Sequence, residues 1–490
     1  MKTNRRQFLK IAGITTTGMF VNNLYSCALP KKDNKDSALS SIKEAVNKSH
    51  KQKFNMCGFA APKIENVRIG FIGVGNRGYA AVERISNIEG VTIAAISDKV
   101  DERSKKAQDF LLKHNLPKAK EYSGSDEAWK QLCESPDIDL VYICTPWDLH
   151  TPMSVYAMEN GKHAAVEVPA ATTVDEAWQL VETSERTKKH CMMLENCCYD
   201  FFELLTLNMA RQGFFGEIVH AEGAYIHDLL SIDYLFPKDN PDDLWRLEEN
   251  RVRNGNLYPT HGLGPVCQVL NINRGDKMEK LVSMSSNDFL MGNTVNKMIS
   301  ENKIPKSFAG NTYCGNMNTS IIKTNKGRTI MVQHDITSPR PYSRLHLISG
   351  TKGIAQKYPL PGKIATGHEW FTEEEMKKIE KEYTPKIVHL VGEMAQKVGG
   401  HGGMDFIMDW RLIDCLRNGL PLDQDVYDAA LWSVISPLSE WSVANQSEPI
   451  AIPDFTNGSW KNNTPVDIEL SKGGTTGVRI ITNSESQLSV

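Results

Sequence analysis

Residues 67–98 constrain the fold more than any other stretch of this chain. An apolar run leads into a loop that contains Gly73, Gly75 and Gly78, and a helical segment follows. A second apolar run then stops at Asp98. This order of strand, glycine turn, helix, strand and acid is typical of a βαβ unit that binds a dinucleotide. The sequence therefore predicts an α/β chain with an N-terminal Rossmann domain.

Each part of this unit has a physical reason. Gly73 permits the tight turn, Gly75 lets the backbone approach a pyrophosphate, and Gly78 lets the helix pack closely on the strand. The helix N-terminus offers free N–H groups and a partial positive charge to phosphates. The carboxylate of Asp98 can accept hydrogen bonds from ribose hydroxyls and would repel a 2′-phosphate. The cofactor we expect is therefore NAD.

The composition excludes several classes of partner. The 490 residues suffice for two or three domains, and 40% hydrophobic with 23% charged residues is typical of a globular protein. A net charge of −3 gives no reason to expect nucleic acid or an anionic membrane as partner. The ten cysteines include no C-x-x-C pair, so we predict no metal site.

The pattern of elements changes near Asn196. Strands and helices alternate up to that residue, which predicts a doubly wound parallel sheet. Beyond it, a long helix and several strand-like runs separated by long loops indicate an α+β domain with a largely antiparallel open sheet. Two helical segments, 405–418 and 425–445, close the C-terminal part. The predicted divisions are a signal peptide at 1–30, a linker at 31–62, a Rossmann domain at 63–196 and an α+β substrate domain at 197–490.

The N-terminus indicates export. The stretch from Asn4 to Lys10 is close to a twin-arginine pattern, with an ordinary basic signal peptide as the alternative. Residues 24–27 resemble a lipobox that would place lipid on Cys27, although Tyr25 fits that pattern poorly. We expect an exported protein, either periplasmic or membrane-anchored. Because the twin-arginine route carries folded proteins, NAD can be loaded before export.

Polar and aromatic residues follow three predicted strands of the first domain. Residues 147–150 follow one strand, residues 167–169 the next, and Glu195-Asn196 the last. Ligands of an open parallel sheet lie outside the carboxyl ends of its strands. These segments are therefore expected beside the dinucleotide.

Several motifs resemble a known superfamily. The segments GVGNRG at 73–78, CTPWDLH at 144–150 and EVPAA at 167–171, followed by an α+β sheet, resemble the Gfo/Idh/MocA oxidoreductases. Within that superfamily, EVPAATTVDEAW, MMLENCCYD and RNGNLYPTHGLGPV resemble glycoside hydrolase family 109 over about residues 60 to 460. The resemblance implies NAD-dependent hydrolysis of N-acetylgalactosaminides, chiefly α-linked.

Two departures from the sugar dehydrogenases of the superfamily favour the hydrolase. The dehydrogenases typically have a lysine between the glutamate and the proline, where this chain has Val168. They also tend to have an aspartate four residues before a histidine, and here Leu257 precedes His261. A sugar dehydrogenase of the Gfo/Idh/MocA type remains the alternative function, and a non-catalytic sugar-binding lipoprotein is a third.

The resemblance also implies a redox-assisted mechanism. The sugar is oxidised at C3, which acidifies C2–H and allows the glycosidic oxygen to leave from C1. Water then adds, C3 is reduced, and NAD is regenerated. The sequence identifies no pair of carboxylates of the kind that ordinary glycosidases use.

The family pattern places functional residues at defined positions. His261 and Tyr258 are assigned to acid–base work, because histidine titrates near neutrality and a tyrosine three residues away can converge on the same sugar. Arg77 is expected to counter a phosphate, and His401 lies in a glycine-rich loop that can reach the site. The cofactor-binding positions are Gly73, Gly75, Asn76, Arg77, Gly78, Asp98, Trp147, Asp148, Leu149, His150, Glu167, Val168 and Asn196. The substrate-binding positions are Tyr225, Arg246, Tyr258, Pro259, Thr260, His261 and Tyr342. We expect a carbohydrate as partner and a homo-oligomer as the assembly.

Overall fold

The structure is a computed structural model that describes residues 35–232, 234–237 and 243–481. The predicted signal peptide and the lipobox around Cys27 lie outside these residues. The described residues from Leu39 onward form one compact unit, which holds the fold and the site described below. In the part of the chain that the structure describes, every helix is too short or too polar to cross a membrane.

Six parallel strands form the first sheet. Their order is β3-β2-β1-β4-β5-β6, with β1 at the switch point between the two halves. The central strands are apolar and buried on both faces, as expected for a sheet covered by helices on both sides. The strands are β1 (Val67–Ile72), β2 (Val91–Asp98), β3 (Lys120–Ser123), β4 (Leu140–Ile143), β5 (His163–Val166) and β6 (Cys191–Met193).

Helices connect these strands as predicted. The best-defined start belongs to α6, where Thr173 and Glu176 form a reciprocal capping box. Strand β3 and the short helix α4 fall in a stretch where the sequence suggested only a polar turn. The helices up to this point are α1 (Lys35–Val46), α2 (Asn76–Ile85), α3 (Asp101–Lys113), α4 (Ala128–Glu134), α5 (His150–Glu159) and α6 (Val174–Thr187).

The second sheet has eight strands and is mostly antiparallel. Its order is β13-β12-β11-β7-β10-β9-β8-β14, and β7 with β10 is its parallel pair. The α/β class with a mostly antiparallel second sheet is therefore confirmed. The strands are β7 (Ile218–Ile226), β8 (Met278–Ser285), β9 (Asn318–Thr324), β10 (Thr329–Asp335), β11 (Leu347–Gly350), β12 (Ile354–Gln356), β13 (Lys363–Ala365) and β14 (Ile450–Ala451).

The loops between these strands contain more helix than the sequence suggested. The helices are α7 (Phe201–Arg211), α8 (Trp245–Val252), α9 (Thr260–Val269), α10 (Met291–Ser300), α11 (Glu373–Tyr383), α12 (Lys386–Val398), α13 (Met404–Asn418) and α14 (Val426–Ala444). Amphipathic segments such as α12, with a buried apolar face, fill space beside the sheet.

The C-terminal helices pack on the first sheet. The Tyr142 hydroxyl on β4 donates to the Asp409 carboxylate on α13 at 2.8 Å, and Arg84 Nε on α2 lies 3.0 Å from the same carboxylate. Ser433 on α14 accepts a hydrogen bond from the Ala170 N–H at 3.1 Å. Helices remote in sequence therefore support the segments that surround the glycine loop.

Two glycines let α9 approach β7 closely. A Cβ atom on Gly262 would lie 2.1 Å from the backbone nitrogen of Ala224, and one on Gly223 would lie 2.2 Å from the Gly262 carbonyl oxygen. Any side chain at either position would push the helix away from the strand. The close approach brings the start of α9, with His261, next to Tyr225 on β7.

Part of the predicted linker lies against the body of the protein. Gln52 donates to the Tyr427 hydroxyl at 2.8 Å, and the backbone N–H of Met56 donates to the same oxygen at 3.1 Å. Met56 is buried, and Ala60 pairs with Pro421 through a backbone bridge. This arm is fixed by polar and apolar contacts to α14 and its flanking loop.

Candidate active site

The glycine loop has the geometry that a dinucleotide needs. Gly73 has a φ of +81°, which favours glycine. A Cβ atom on Gly78 would lie 1.9 Å from the Gly73 carbonyl oxygen, so only glycine lets α2 start so close to β1. Helix α2 begins after Gly75 with no side-chain cap and no acidic residue in its first turn. Its free N–H groups therefore suit a pyrophosphate.

Asp98 ends β2 beside this loop. One carboxylate oxygen accepts a hydrogen bond from the Val74 N–H at 2.9 Å, and the other accepts from the Val100 N–H at 3.0 Å. Each oxygen retains acceptor capacity for a ribose hydroxyl. The carboxylate thus shapes the loop and lines the cleft at the position expected for the adenosine ribose.

Arg77 does not stand free to meet a phosphate. Its Nε lies 2.6 Å from Glu167 Oε1, and its Nη1 lies 2.6 Å from Asp405 Oδ2. The pKa of the buried Asp405 carboxyl is well below its ordinary value, because the charges of Arg77 and His401 outweigh the effect of burial. Arg77 therefore bridges the glycine loop and α13 through two of its guanidinium nitrogens.

Asp405 joins four separate parts of the chain. Its second oxygen accepts from the Asn196 amide at 2.5 Å, and the Nδ1 atom of His401 lies 2.9 Å from the oxygen that binds Arg77. Residues 399–403 around His401 all have positive φ, so this loop needs its glycines. The loop lines the same cleft as the glycine loop.

His150 is occupied by the backbone. Its Nδ1 lies 2.7 Å from the Pro169 carbonyl oxygen, and its Nε2 lies 2.7 Å from the Thr145 carbonyl oxygen. Burial lowers the pKa of the ring. Both ring nitrogens therefore face backbone carbonyl oxygens of cleft-lining turns, and a neutral ring donates a hydrogen bond to only one of them. The sequence places His150 among the cofactor-binding residues.

Glu195 and His261 form a pair that the sequence did not reveal. His261 Nδ1 lies 2.8 Å from Oε1 and 3.0 Å from Oε2 of a carboxylate that is fully buried. Burial raises the pKa of Glu195, but the His261 charge and hydrogen bonds, with those from Thr260 and the Cys197 N–H, hold it below its ordinary value. An ionised carboxylate only accepts, so Nδ1 carries the proton and Nε2 is left for a ligand.

The same pair lies within a group of possible metal ligands. One ligand atom each from Glu195, Cys197 and His261 lies within 4.8 Å of the others. Burial raises the pKa of the Cys197 thiol well above its ordinary value, which disfavours the thiolate that a metal requires. The short hydrogen bond between Glu195 and His261 accounts for the arrangement.

Aromatic rings form the wall next to His261. The Tyr258 ring stacks on Trp147 with centroids 5.7 Å apart, and lies 4.7 Å from Tyr225 and 4.9 Å from His261. Burial raises the pKa of the Tyr258 phenol well above its ordinary value. The phenol therefore stays protonated and can donate a hydrogen bond or a proton.

His227 is a further cleft residue that sequence reasoning missed. Its Nδ1 lies 3.0 Å from the Tyr225 hydroxyl, and its ring packs edge-on against Tyr342 at 4.9 Å. Burial, with the charges of His261 and His401, lowers its pKa to about 4. The ring is neutral near pH 7, so Nδ1 can accept a hydrogen bond from the Tyr225 hydroxyl. The segment EGAYIHD, in which two polar aromatic residues are two apart at the end of β7, could have indicated the pair.

Arg246 and Tyr342 lie on the same cleft. The Arg246 guanidinium carbon lies 4.5 Å from the Trp245 ring and 5.7 Å from the Trp147 ring. The nearby carboxylates of Glu248 and Glu249 accept from Arg251 and Arg253. The arginine is thus held over aromatic faces.

Most expected site residues line this one cleft, and a few do not. Asp148 is exposed and points elsewhere, and Pro259, Thr260 and Gly78 are buried behind the wall. Those brought together are Gly73, Gly75, Asn76, Arg77, Asp98, Trp147, Leu149, His150, Glu167, Val168, Asn196, Tyr225, Arg246, Tyr258, His261 and Tyr342. Asp148, Pro259, Thr260 and Gly78 do not line the cleft, because adjacent residues of a turn or helix point to different sides of it.

Comparison with solved structures supports the fold. A levoglucosan dehydrogenase in complex with NADH and L-sorbose covers 80% of this chain and 100% of its own, with a TM-score of 0.61 and 18% identity. A myo-inositol dehydrogenase from Lactobacillus casei covers 80% and 99%, with a TM-score of 0.54 and 17% identity. The fold and the glycine loop thus define a two-domain α/β protein with an N-terminal Rossmann domain.

Sequence comparison defines the family. Residues 67–195 match the model for the oxidoreductase family with an NAD-binding Rossmann fold, and residues 199–462 match the C-terminal domain of glycosyl hydrolase 109. A glycosyl hydrolase family 109 protein from Porphyromonas gingivalis is 51% identical over 81% of this chain and 86% of its own length. One from Bacteroides fragilis is 49% identical over 83% and 89%, and one from Shewanella sp. is 46% identical over 95% and 98%.

The chain belongs to glycoside hydrolase family 109. It is an NAD-dependent glycoside hydrolase on a Gfo/Idh/MocA oxidoreductase fold, and the expectations of this family and of NAD as cofactor are confirmed. The glycine loop, the uncapped start of α2 and the acceptor at Asp98 fit NAD.

Proposed function

We propose that this protein removes terminal α-linked N-acetylgalactosamine from glycans by oxidation, elimination, addition of water and reduction, with NAD regenerated in each cycle. The observation that carries the proposal is the Glu195–His261 pair, an oriented acid–base group in the same cleft as the glycine loop. Val168 replaces the lysine that a sugar dehydrogenase uses at its position.

The carboxylates around His261 argue against an ordinary glycosidase mechanism. That mechanism needs one carboxylate as acid and another as nucleophile or base across the bond. Glu167 and Asp405 are bound by Arg77, and Glu195 is bound by His261. Asp200 is bound by Arg344 at 2.6 Å. Each of these carboxylates is paired with a cation. This favours a mechanism in which a pair of carboxylates does not break the glycosidic bond.

When bound, NAD supplies reversible redox chemistry at a carbon that bears a hydroxyl group. A ketone at C3 of the sugar makes the C2 proton acidic. His261, oriented through Nδ1 by Glu195, takes a proton from the sugar at Nε2 and later returns it. Tyr258 donates to a sugar oxygen from its protonated phenol. We assign proton transfer to these two residues together.

The remaining wall orients the sugar. Arg246 presents a planar fork of N–H donors that suits sugar hydroxyls or an acetamide oxygen. Tyr225 and Tyr342 place ring faces and hydroxyls around the same space, with centroids 6.4 Å apart. Aromatic faces and a fork of donors are a suitable surface for a pyranose with an N-acetyl group.

A turnover assay tests this function. The purified protein is incubated with an aryl α-N-acetylgalactosaminide, while aryl alcohol and NADH absorbance are followed together. We expect many equivalents of alcohol per protein chain with no accumulation of NADH. The aryl α-galactoside, which lacks the acetamide, is the matched control and should react more slowly. NADH accumulation with an intact glycoside would instead support the sugar dehydrogenase.

We also propose that the chain is exported with NAD already bound. The proposal rests on the twin-arginine-like segment around Arg5 and Arg6 and on the need for a retained cofactor outside the cytoplasm. Cell fractionation after replacement of both arginines by lysine tests it. Protein that still reaches the exported fraction would contradict the route, and labelling by palmitate that depends on Cys27 would identify the lipid-anchored form.

A further inference from the structure

Five aromatic rings run in a continuous line along the cleft. From Trp147 the centroid distances are 5.7 Å to Tyr258, 4.7 Å onward to Tyr225, 6.4 Å to Tyr342 and 5.9 Å to Tyr358. His261 lies beside the second and third rings of this line. Two further rings, Tyr342 and Tyr358, follow the rings that adjoin His261.

The far end of the line is built on a buried charge network. Arg344 Nη2 lies 2.6 Å from Asp200 and 2.7 Å from Glu203, and Lys357 Nζ lies 2.6 Å and 2.8 Å from the same two carboxylates. Two cations and two anions balance one another. The Tyr358 ring lies over this network, 5.7 Å from the Arg344 guanidinium carbon.

The network holds one unsatisfied donor. Arg344 is 3% exposed, and its Nε has no hydrogen-bond partner among the described residues. A buried N–H without a partner costs free energy until an acceptor or a water meets it. Arg344 also donates to the Tyr342 hydroxyl at 3.4 Å, so the arginine links the last two rings of the line.

The same end of the cleft opens to solvent. Leu360 is 66% exposed and lines the cleft next to Tyr358, and Met404 lies on the opposite side near Arg344. The whole cleft encloses about 3010 Å³. Sites for single small molecules occupy about 300–1,000 Å³, so a dinucleotide and more than one sugar fit here.

We propose that the part of the cleft beyond Tyr342 is a second saccharide subsite, formed by Tyr358 and Leu360 with the Tyr342 hydroxyl at its inner border. It would hold the neutral sugar to which the terminal N-acetylgalactosamine is attached. The inference rests on the proposed function and narrows it, because the substrate becomes an oligosaccharide chain rather than any simple glycoside. A neutral sugar is expected, because the charges of Arg344 and Lys357 are already balanced by Asp200 and Glu203.

The chemistry of sugars matches this end of the cleft. A pyranose ring has an apolar face of C–H groups that packs on an aromatic or aliphatic side chain, and its hydroxyl edge needs polar partners. Tyr358 and Leu360 supply the apolar contact. The Tyr342 hydroxyl, which Arg344 contacts from behind, supplies a polar partner that a sugar hydroxyl can meet.

The test compares two substrates in the full-length protein. For each variant we measure kcat/KM for α-N-acetylgalactosaminyl-galactose and for an aryl α-N-acetylgalactosaminide, and take their ratio. Tyr358→Ala should lower the ratio about tenfold, as expected for loss of one apolar contact. Tyr358→Phe keeps the ring and should keep the ratio. Leu360→Ser, at an exposed position where folding is not at risk, should lower the ratio about threefold.

A control and a binding measurement separate the outcomes. Trp370→Ala removes an exposed aromatic side chain outside the cleft, and its ratio should equal that of the wild type. Unchanged ratios in Tyr358→Ala and Leu360→Ser would overturn the subsite while leaving the proposed function intact. If neither substrate is cleaved, the proposed function fails. Saturation-transfer NMR then decides the subsite: saturation of the galactose ring protons that Tyr358→Ala abolishes supports it, and saturation of the N-acetylgalactosamine ring alone contradicts it.

Discussion

Glu195 accepts a hydrogen bond from Nδ1 of His261 at 2.8 Å, although the two residues are 66 positions apart in the chain. Glu195 follows β6 of the parallel sheet, whereas His261 lies in the first turn of α9, which packs on the second sheet. The pair therefore forms only when both sheets are folded and docked. It fixes the tautomer of the histidine and aims Nε2 away from the carboxylate.

Replacement of the carboxylate tests this relationship. Glu195→Gln keeps the size of the side chain but removes the negative charge that accepts the hydrogen bond from His261 Nδ1. We expect kcat to fall about 100-fold, with a smaller change in KM. Steady-state kinetics with an aryl glycoside measures both. Glu374→Gln, at an exposed helix position, is the matched control and should behave as the wild type.

The same pair makes a prediction about stability and pH. The pKa of Glu195 is below its ordinary value of 4.5 in the folded protein. The stabilisation from its ionised form is therefore fully present above that value and is lost as the pH falls through the lower folded value. The difference in melting temperature between wild type and Glu195→Gln should stay constant above about pH 5 and shrink below it. Thermal unfolding across this range checks it, and a difference that widens on acidification would contradict it.

His227 should matter through Tyr225. His227→Phe removes the nitrogen that lies 3.0 Å from the Tyr225 hydroxyl, and kcat should fall about tenfold, the equivalent of one hydrogen bond. His227→Gln retains an acceptor and should recover part of the loss. Because the pKa of His227 is lowered to about 4, the wild-type rate should show no step from this group above about pH 5. Equal rates in the Phe and Gln variants would contradict the role.

Asp405 should hold the cofactor in place. Asp405→Asn removes the charge that binds Arg77 and His401, and purified protein should lose NAD about tenfold faster. Asp409→Asn, one turn along α13, also removes a buried carboxylate partner of Arg84 but has no contact with the loop at 399–403. Both variants should lose roughly 3 kcal/mol of stability. Absorbance at the nucleotide band after gel filtration measures retained NAD, and equal retention in the two variants would refute the idea.

Local signals in the sequence predict much of this fold. The sequence pattern predicts strands at 163–166, 218–226 and 329–335 and a helix at 174–187, and these bounds agree with β5, β7, β10 and α6. The glycine loop and Asp98 follow from spacing alone. The convergence of Tyr258 and His261 is also expected from their separation of three residues, and their ring centroids lie 4.9 Å apart.

The remaining features depend on contacts between distant segments. Arg77 is a plausible phosphate ligand in sequence, but α13 brings Asp405 to it from 328 residues away. Glu195 and Asn196 both follow strand β6. The local sequence does not show which of the two contacts His261. The sequence predicts that His150 binds the cofactor, whereas in the structure both of its ring nitrogens face backbone carbonyl oxygens. In each case the docking of helices decides the role of the side chain.

The most direct test of the central claim is turnover in heavy water. Wild-type protein cleaves an aryl α-N-acetylgalactosaminide in deuterated buffer, and NMR of the released sugar reads the hydrogen at C2. Elimination and addition exchange that hydrogen with solvent, so deuterium at C2 with no accumulated NADH is the predicted result. Released sugar that retains its original hydrogen at C2 would contradict the redox-assisted mechanism and indicate direct displacement at C1.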